Sequence, residues 1–173
     1  MKNIKSVKIG KAILLLTLAT MLFSVQKIAY PGIADFSGNW IRNNEQCDAD
    51  GLSINSIPAK IEISQSNNAI SIKRTSVSGA GISSSYTEVL KFDGSSSETV
   101  TPAKLKRTAK IELRAGMAGF TETFTSKDEQ GNEQQSGKQE FSLVNNGKGL
   151  KIEATQSYKD GTVAHLSEAF DKK

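Results

Sequence analysis

The chain has 173 residues, with 22 Lys+Arg against 18 Asp+Glu, a formal net charge of +4, and a single Cys and a single His. Its 37% hydrophobic and 23% charged residues lie near the globular average, which excludes a disordered acidic tail, a collagen and a disulfide-stapled miniprotein. The length allows one ordinary domain and a short extra segment.

The positive charge is unevenly placed. Residues 1–34 contain Lys2, Lys5, Lys8, Lys11 and Lys27 and no acid, so residues 35–173 hold 17 basic against 18 acidic side chains. A nearly neutral remainder gives no electrostatic footprint for nucleic acid. The first segment runs from a lysine-rich start into the apolar stretch Ala12–Val25. A charged n-region followed by an apolar run of about 14 residues has the layout of a secretory signal peptide and is short for a membrane span. Residues 1–34 are therefore expected to be a signal helix that is removed, with Ala29 and Ala34 as candidate cleavage positions. The mature protein is expected to be exported, periplasmic or extracellular, without a stable membrane span. An uncleaved N-terminal anchor is the alternative.

From Phe36 onward the sequence is written in period two. Phe36–Asn43 is the first expected strand. Ile57, Ala59, Ile61 and Ile63 then alternate with Pro58, Lys60, Glu62 and Ser64, as a half-buried strand requires. Leu105, Arg107, Ala109, Ile111 and Leu113 alternate in the same way, and looser alternation covers 69–77, 84–92, 119–127, 137–144, 149–158 and 162–170. Ser66-Asn67-Asn68, Asp93-Gly94, Gly131-Asn132, Asn145-Asn146-Gly147 and Asp160-Gly161 mark tight turns between them. The stretches 43–56, 76–85 and 128–139 read as loops, the first with room for one helical turn. No helical periodicity of useful length follows Val25. About nine hairpin-connected strands close most simply into an antiparallel up-and-down barrel spanning 35–173, with an open sandwich as the other packing.

Phe36-Ser37-Gly38-Asn39-Trp40, Tyr86–Gly94 and Phe141–Leu150 resemble the Gly-x-Trp strand, the Tyr-Thr strand with its Asp-Gly turn and the later strand-turn-strand of small exported bacterial lipocalin-like proteins of the calycin group. The resemblance spans roughly residues 35–171 and implies a lipocalin-like barrel of about 8–10 strands. It also implies that Gly38 and Trp40 close one end of that barrel. In that group an Arg on the final strand often stacks on the Trp; Val163–Phe170 carries none.

Polar residues in phase with the apolar face are where binding chemistry would lie. Arg107 falls in phase with Leu105 and Ile111, Glu122 lies between Phe120 and Phe124, Gln156 is in phase with Ile152 and Tyr158, and Glu168 lies between Leu166 and Phe170. A buried charge must be paired or reach water. Arg107, Glu122, Phe124, Gln156 and Glu168 are thus candidate contacts for the polar end of a small apolar or amphipathic ligand, unless the charges pair among themselves.

Other signatures fail. Gly79-Ala80-Gly81 lacks a third glycine at 84, no P-loop or Gly-x-Ser-x-Gly elbow occurs, and Asp48-Ala49-Asp50-Gly51 in an EF-hand frame would put Ile57 where a bidentate Glu is needed. One His and one Cys cannot build a structural zinc site unaided, and a Cys47–His165 dyad has no recognisable local signature. No cofactor, metal or catalytic residue is expected, and the chain is read as a binding module rather than an enzyme. The competing expectation is an envelope interaction protein or inhibitor that works through its loops.

Overall fold

The structure, a computed structural model, describes residues 33–173; the expected signal peptide and its alternative as an anchor lie outside the described residues. Ten strands follow in chain order: β1 (Gly38–Arg42), β2 (Lys60–Gln65), β3 (Ala69–Val77), β4 (Ser83–Lys91), β5 (Ser97–Val100), β6 (Lys106–Leu113), β7 (Gly119–Lys127), β8 (Glu133–Val144), β9 (Gly149–Tyr158) and β10 (Val163–Lys172). Among the described residues only three short 3-10 turns, at Ile54–Ser56, Ala115–Met117 and Asn145–Gly147, interrupt the strand pattern. Among the described residues no helix is long and apolar enough to cross a membrane.

Each hairpin-connected neighbour in sequence is an antiparallel neighbour in space, and β1 also pairs with β10, giving the order β4-β3-β2-β1-β10-β9-β8-β7-β6-β5. This is an up-and-down barrel that is nearly closed, since the remaining edges are β4 and β5. No backbone ladder joins those two strands among the described residues, but the Thr99 hydroxyl on β5 donates to the Thr87 carbonyl on β4 at 3.0 Å. At this level of detail the architecture fits the lipocalin-like expectation.

The period-two pattern produces the interior directly, because alternate side chains of a strand project to opposite faces. Ile61 and Ile63, Ile70 and Ile72, Ile111, Leu150 and Ile152 are buried, as the alternation requires. Phe120 stacks on Phe141 with ring centroids 4.4 Å apart, and Phe36 meets Phe120 edge-on at 5.1 Å. Trp40 is wholly buried and its indole N–H donates to the Phe36 carbonyl at 3.0 Å.

The Asn145-Asn146-Gly147 turn has positive φ at all three residues, a conformation that Asn and Gly adopt most readily.

Two loop expectations need correction, and one strand is added. β8 begins at Glu133, so only 128–132 forms the turn, and the strand accommodates an extra residue through a register shift opposite Ser126 and Lys127. β3 and β4 extend inward to leave only 78–82 between them. Ser97–Val100, unassigned by sequence, forms the short edge strand β5 against β6. The last strand likewise runs two residues further than expected, to Lys172.

Candidate ligand-binding site

All five candidate contacts face inward. Arg107 is 4% exposed, Glu122 wholly buried, Phe124 4%, Gln156 9% and Glu168 2%. Cross-strand register fixes their order. Glu168, Ile152, Phe141 and Phe120 form one row across β10, β9, β8 and β7; Leu166, Ala154, Gln139, Glu122 and Ile111 form the next, reaching β6. Ala164, Gln156, Gly137, Phe124 and Ala109 form a third. Along β10, therefore, Glu168 lies between Phe170 of the main core and a separate apolar cluster of Ala154, Ala164 and Leu166.

Two candidates belong to a charge network that sequence reasoning saw only in part. Arg74 on β3 donates to Glu88 on β4, to Glu122 at 2.7 Å and to the side-chain carbonyl of Gln139 at 3.0 Å. Arg107 donates through Nε to Glu88 and through Nη2 to Glu122, and its guanidinium lies over the Phe124 ring, 3.5 Å from the centroid. Two guanidiniums and two carboxylates thus alternate inside the barrel. Arg74, Glu88 and Gln139 had no place among the candidates, although Arg74 is in phase with Ile70 and Ile72, and Glu88 with Leu90. The rule that singled out Arg107 also finds them.

Electrostatics follow the geometry. Burial works against the Arg74 charge, but the carboxylates of Glu122 and Glu88 raise its pKa well above the usual arginine value. Burial likewise works against Glu122, yet the positive charges of Arg74 and Arg107 hold its carboxyl below the ordinary range.

Glu168 differs from both. Burial pushes its carboxyl up to about 7, the Arg74 charge only partly offsets that, and Glu122 and Glu153 add repulsion. Glu168 accepts no hydrogen bond among the described residues, whereas Gln156 receives the Gln135 amide at 2.7 Å and the Tyr158 hydroxyl at 3.0 Å.

The segment between β1 and β2 covers the flank of this region. Asp48 exchanges backbone hydrogen bonds with Ser167, Asp50 Oδ2 accepts the His165 N–H at 2.9 Å, and Ala49 packs against the Ala154, Ala164 and Leu166 cluster. Arg42 ties the far end of the segment by donating to the Ile54 and Ile57 carbonyls at 2.7 and 2.6 Å. Cys47 and His165 do not form a dyad. The Cys47 sulfur accepts the Ala169 N–H at 3.2 Å and its thiol is pushed up by burial, while the exposed His165 ring meets the Thr155 hydroxyl at 3.2 Å.

Gly38 and Trp40 lie on β1, next to a cation that the sequence reading did not supply. Lys172, at the end of β10, lies with Nζ 5.0 Å from the Trp40 ring centroid. A surface cleft of about 550 Å³ between Glu98–Val100, Lys104, Lys106 and Asp128–Glu129 opens at the barrel rim and includes none of the inward candidates.

No protein-family model matches the chain, and no curated protein matches it. Among solved structures it is similar in fold to zebrafish ileal bile acid-binding protein complexed with cholic acid, at 15% identity and a TM-score of 0.47, over 80% of this chain and 98% of that one.

Proposed function

We propose that this protein is an exported lipocalin-like module that holds one small amphipathic ligand inside its barrel and performs no catalysis. The observation that carries this reading is Glu168: a carboxyl group 2% exposed, inward-facing, and without a hydrogen-bond donor among the described residues. A folded chain normally satisfies such a group or excludes it. On the rows that follow along β10 and β9, Leu166, Ala154 and Ala164 are apolar and Gln156 is a second polar group, while Phe124 lies further round the barrel under Arg107. The lysine-rich, then apolar residues 1–34 support export.

The test uses the full chain expressed in an exporting host. Native mass spectrometry is expected to show a retained small molecule, and the neutral fluorophore N-phenyl-1-naphthylamine is expected to brighten on binding at one equivalent and to be displaced by dodecanol. Absence of both the adduct and the fluorescence change overturns the reading.

A second reading rests on a different surface. The β1–β2, β3–β4, β5–β6, β7–β8 and β9–β10 connections all lie at one end of an up-and-down barrel, and the exposed Leu52, Ile82, Val100 and Val163 lie in or beside four of them. Apolar side chains gathered at one rim suit an envelope partner that docks on the loops. Loss of partner capture from envelope extract in Ile82→Ser plus Val163→Ser, with fluorophore binding unchanged, supports this second reading; retained capture excludes the rim.

A further inference from the structure

We propose that the interior site selects amphipathic molecules with a protonated amine at the polar end and disfavours carboxylates. This rests on the ligand-binding reading and gives it a chemical class.

The argument starts from the charges inside the barrel. Arg74 and Arg107 are both engaged by Glu88 and Glu122, and Arg74 also by Gln139. That set of four is neutral and closed on itself. Glu168 is a fifth inward charge outside it. Among the described residues no sealed side-chain nitrogen or oxygen lacks a partner. Since Glu168 accepts no hydrogen bond there, its oxygens are not among the sealed atoms: the residue is 2% exposed and keeps a trace of accessible surface with no donor on it.

The groups around Glu168 decide which head group it favours. From across the barrel it feels Arg74, already committed, and Glu122. β9 contributes the neutral Ile152 opposite it and the neighbouring Glu153. β1 contributes Trp40 and Arg42, and the Arg42 guanidinium is held by Asn44 and by the Ile54 and Ile57 carbonyls. The covering segment contributes Cys47, Asp48 and Asp50, of which Asp48 and Asp50 are acids bound to β10 backbone or their own turn. Every guanidinium near Glu168 is occupied, and the remaining charges are negative. An entering carboxylate adds an anion beside Glu168 and Glu122, which a low-dielectric interior penalises. An ammonium group supplies the donor and the positive charge that Glu168 lacks, in a charge-assisted hydrogen bond.

The experiment compares dodecylamine, dodecanol and dodecanoate, each below its aggregation limit, by displacement of N-phenyl-1-naphthylamine from the full chain at pH 8. Dodecylamine is expected to bind at least about tenfold tighter than dodecanoate, a difference equivalent to one pKa unit of differential interaction. In Glu168→Gln, dodecanol binding is expected to persist while the amine advantage over dodecanol disappears. If that variant fails to fold, the wild-type chain supplies the same information: the amine-to-dodecanol affinity ratio is expected to fall as pH drops from 8 to 5.5 and Glu168 takes up its proton. Dodecanoate binding as tightly as dodecylamine, or an amine preference unchanged by Glu168→Gln or by pH, overturns the inference and leaves the ligand-binding reading standing. Failure of all three molecules to bind overturns both.

Discussion

Arg74 on β3 donates to Glu122 on β7 at 2.7 Å, across the barrel interior and past the gap where β4 and β5 form no backbone ladder. Arg107 on β6 makes the complementary crossing to Glu88 on β4. The seam is therefore bridged from inside by charged side chains, and on the backbone side by the Thr99 hydroxyl on the Thr87 carbonyl. An unpaired strand edge is exposed to pairing with other chains, so a barrel that stops short of closure needs some such tie.

Removing one partner of this network and removing all of it should have opposite consequences. Glu122→Gln leaves two buried guanidiniums sharing one carboxylate and is expected to lower unfolding free energy by about 3–5 kcal/mol. Replacing the set together, with Arg74→Met, Glu88→Leu, Arg107→Met and Glu122→Leu, is expected to be neutral or stabilising by roughly 1–4 kcal/mol, because the desolvation cost of four charges disappears with them. Urea titrations of the three proteins measure both. A Glu122→Gln midpoint equal to that of wild type would show that the network does not hold the seam.

At the other end, Gly38 and Lys172 are coupled through Trp40. A Cβ at position 38 would lie 2.7 Å from the Lys172 Cε, so the glycine leaves the path by which the lysine reaches the indole. Lys172→Ala is expected to cost about 0.5–1 kcal/mol by loss of the cation–π contact. Gly38→Ala is expected to cost about 1–3 kcal/mol through crowding, and less in the Lys172→Ala background. A double-mutant cycle checks this; costs that add to within about 0.3 kcal/mol would mean the two residues act independently.

These cases also mark what could be read in the sequence. Alternation located the strands that carry apolar residues, and Asp-Gly or Asn-Gly pairs located their turns. Ser97–Val100 escaped because an edge strand needs only the backbone pairing it finds on Lys106–Ala109, and its side chains are half-buried or exposed. Gly137 falls where the loop-like stretch 128–139 and the alternating stretch 137–144 overlap. In the barrel it is a strand residue opposite Phe124, where an added Cβ would meet the Thr155 carbonyl at 2.6 Å and the Phe124 ring at 2.9 Å. The glycine makes room for the ring that Arg107 covers. Periodicity placed Arg107, Glu122, Gln156 and Glu168 on the inner face, but which charges pair depends on closure: Arg74 and Glu122 are 48 residues apart and meet only when the sheet curls. Glu168 is distinguished from the other acids by the lack of such a partner, a property of three-dimensional packing.

That difference makes the stability of the fold depend on pH through Glu168. Its carboxyl is pushed up to about 7 from an ordinary value of 4.5, chiefly by burial. Between those values the folded chain binds more protons than the unfolded one, so stability falls as pH rises from 4.5 through 7 and levels off above. Glu168→Gln removes this component: the variant is expected to match wild type near pH 4.5 and to exceed it above pH 7.5 by on the order of 3 kcal/mol, at about 1.36 kcal/mol per unit. Taking the difference between the two proteins cancels the titration of groups they share, including Glu88, which burial also raises. Urea denaturation at pH 4.5, 6 and 8 supplies the curve. A difference that stays flat across that range would show that Glu168 is ionised throughout and has found a partner in the folded chain, which would also remove the vacant hydrogen-bonding position on which an amine ligand depends.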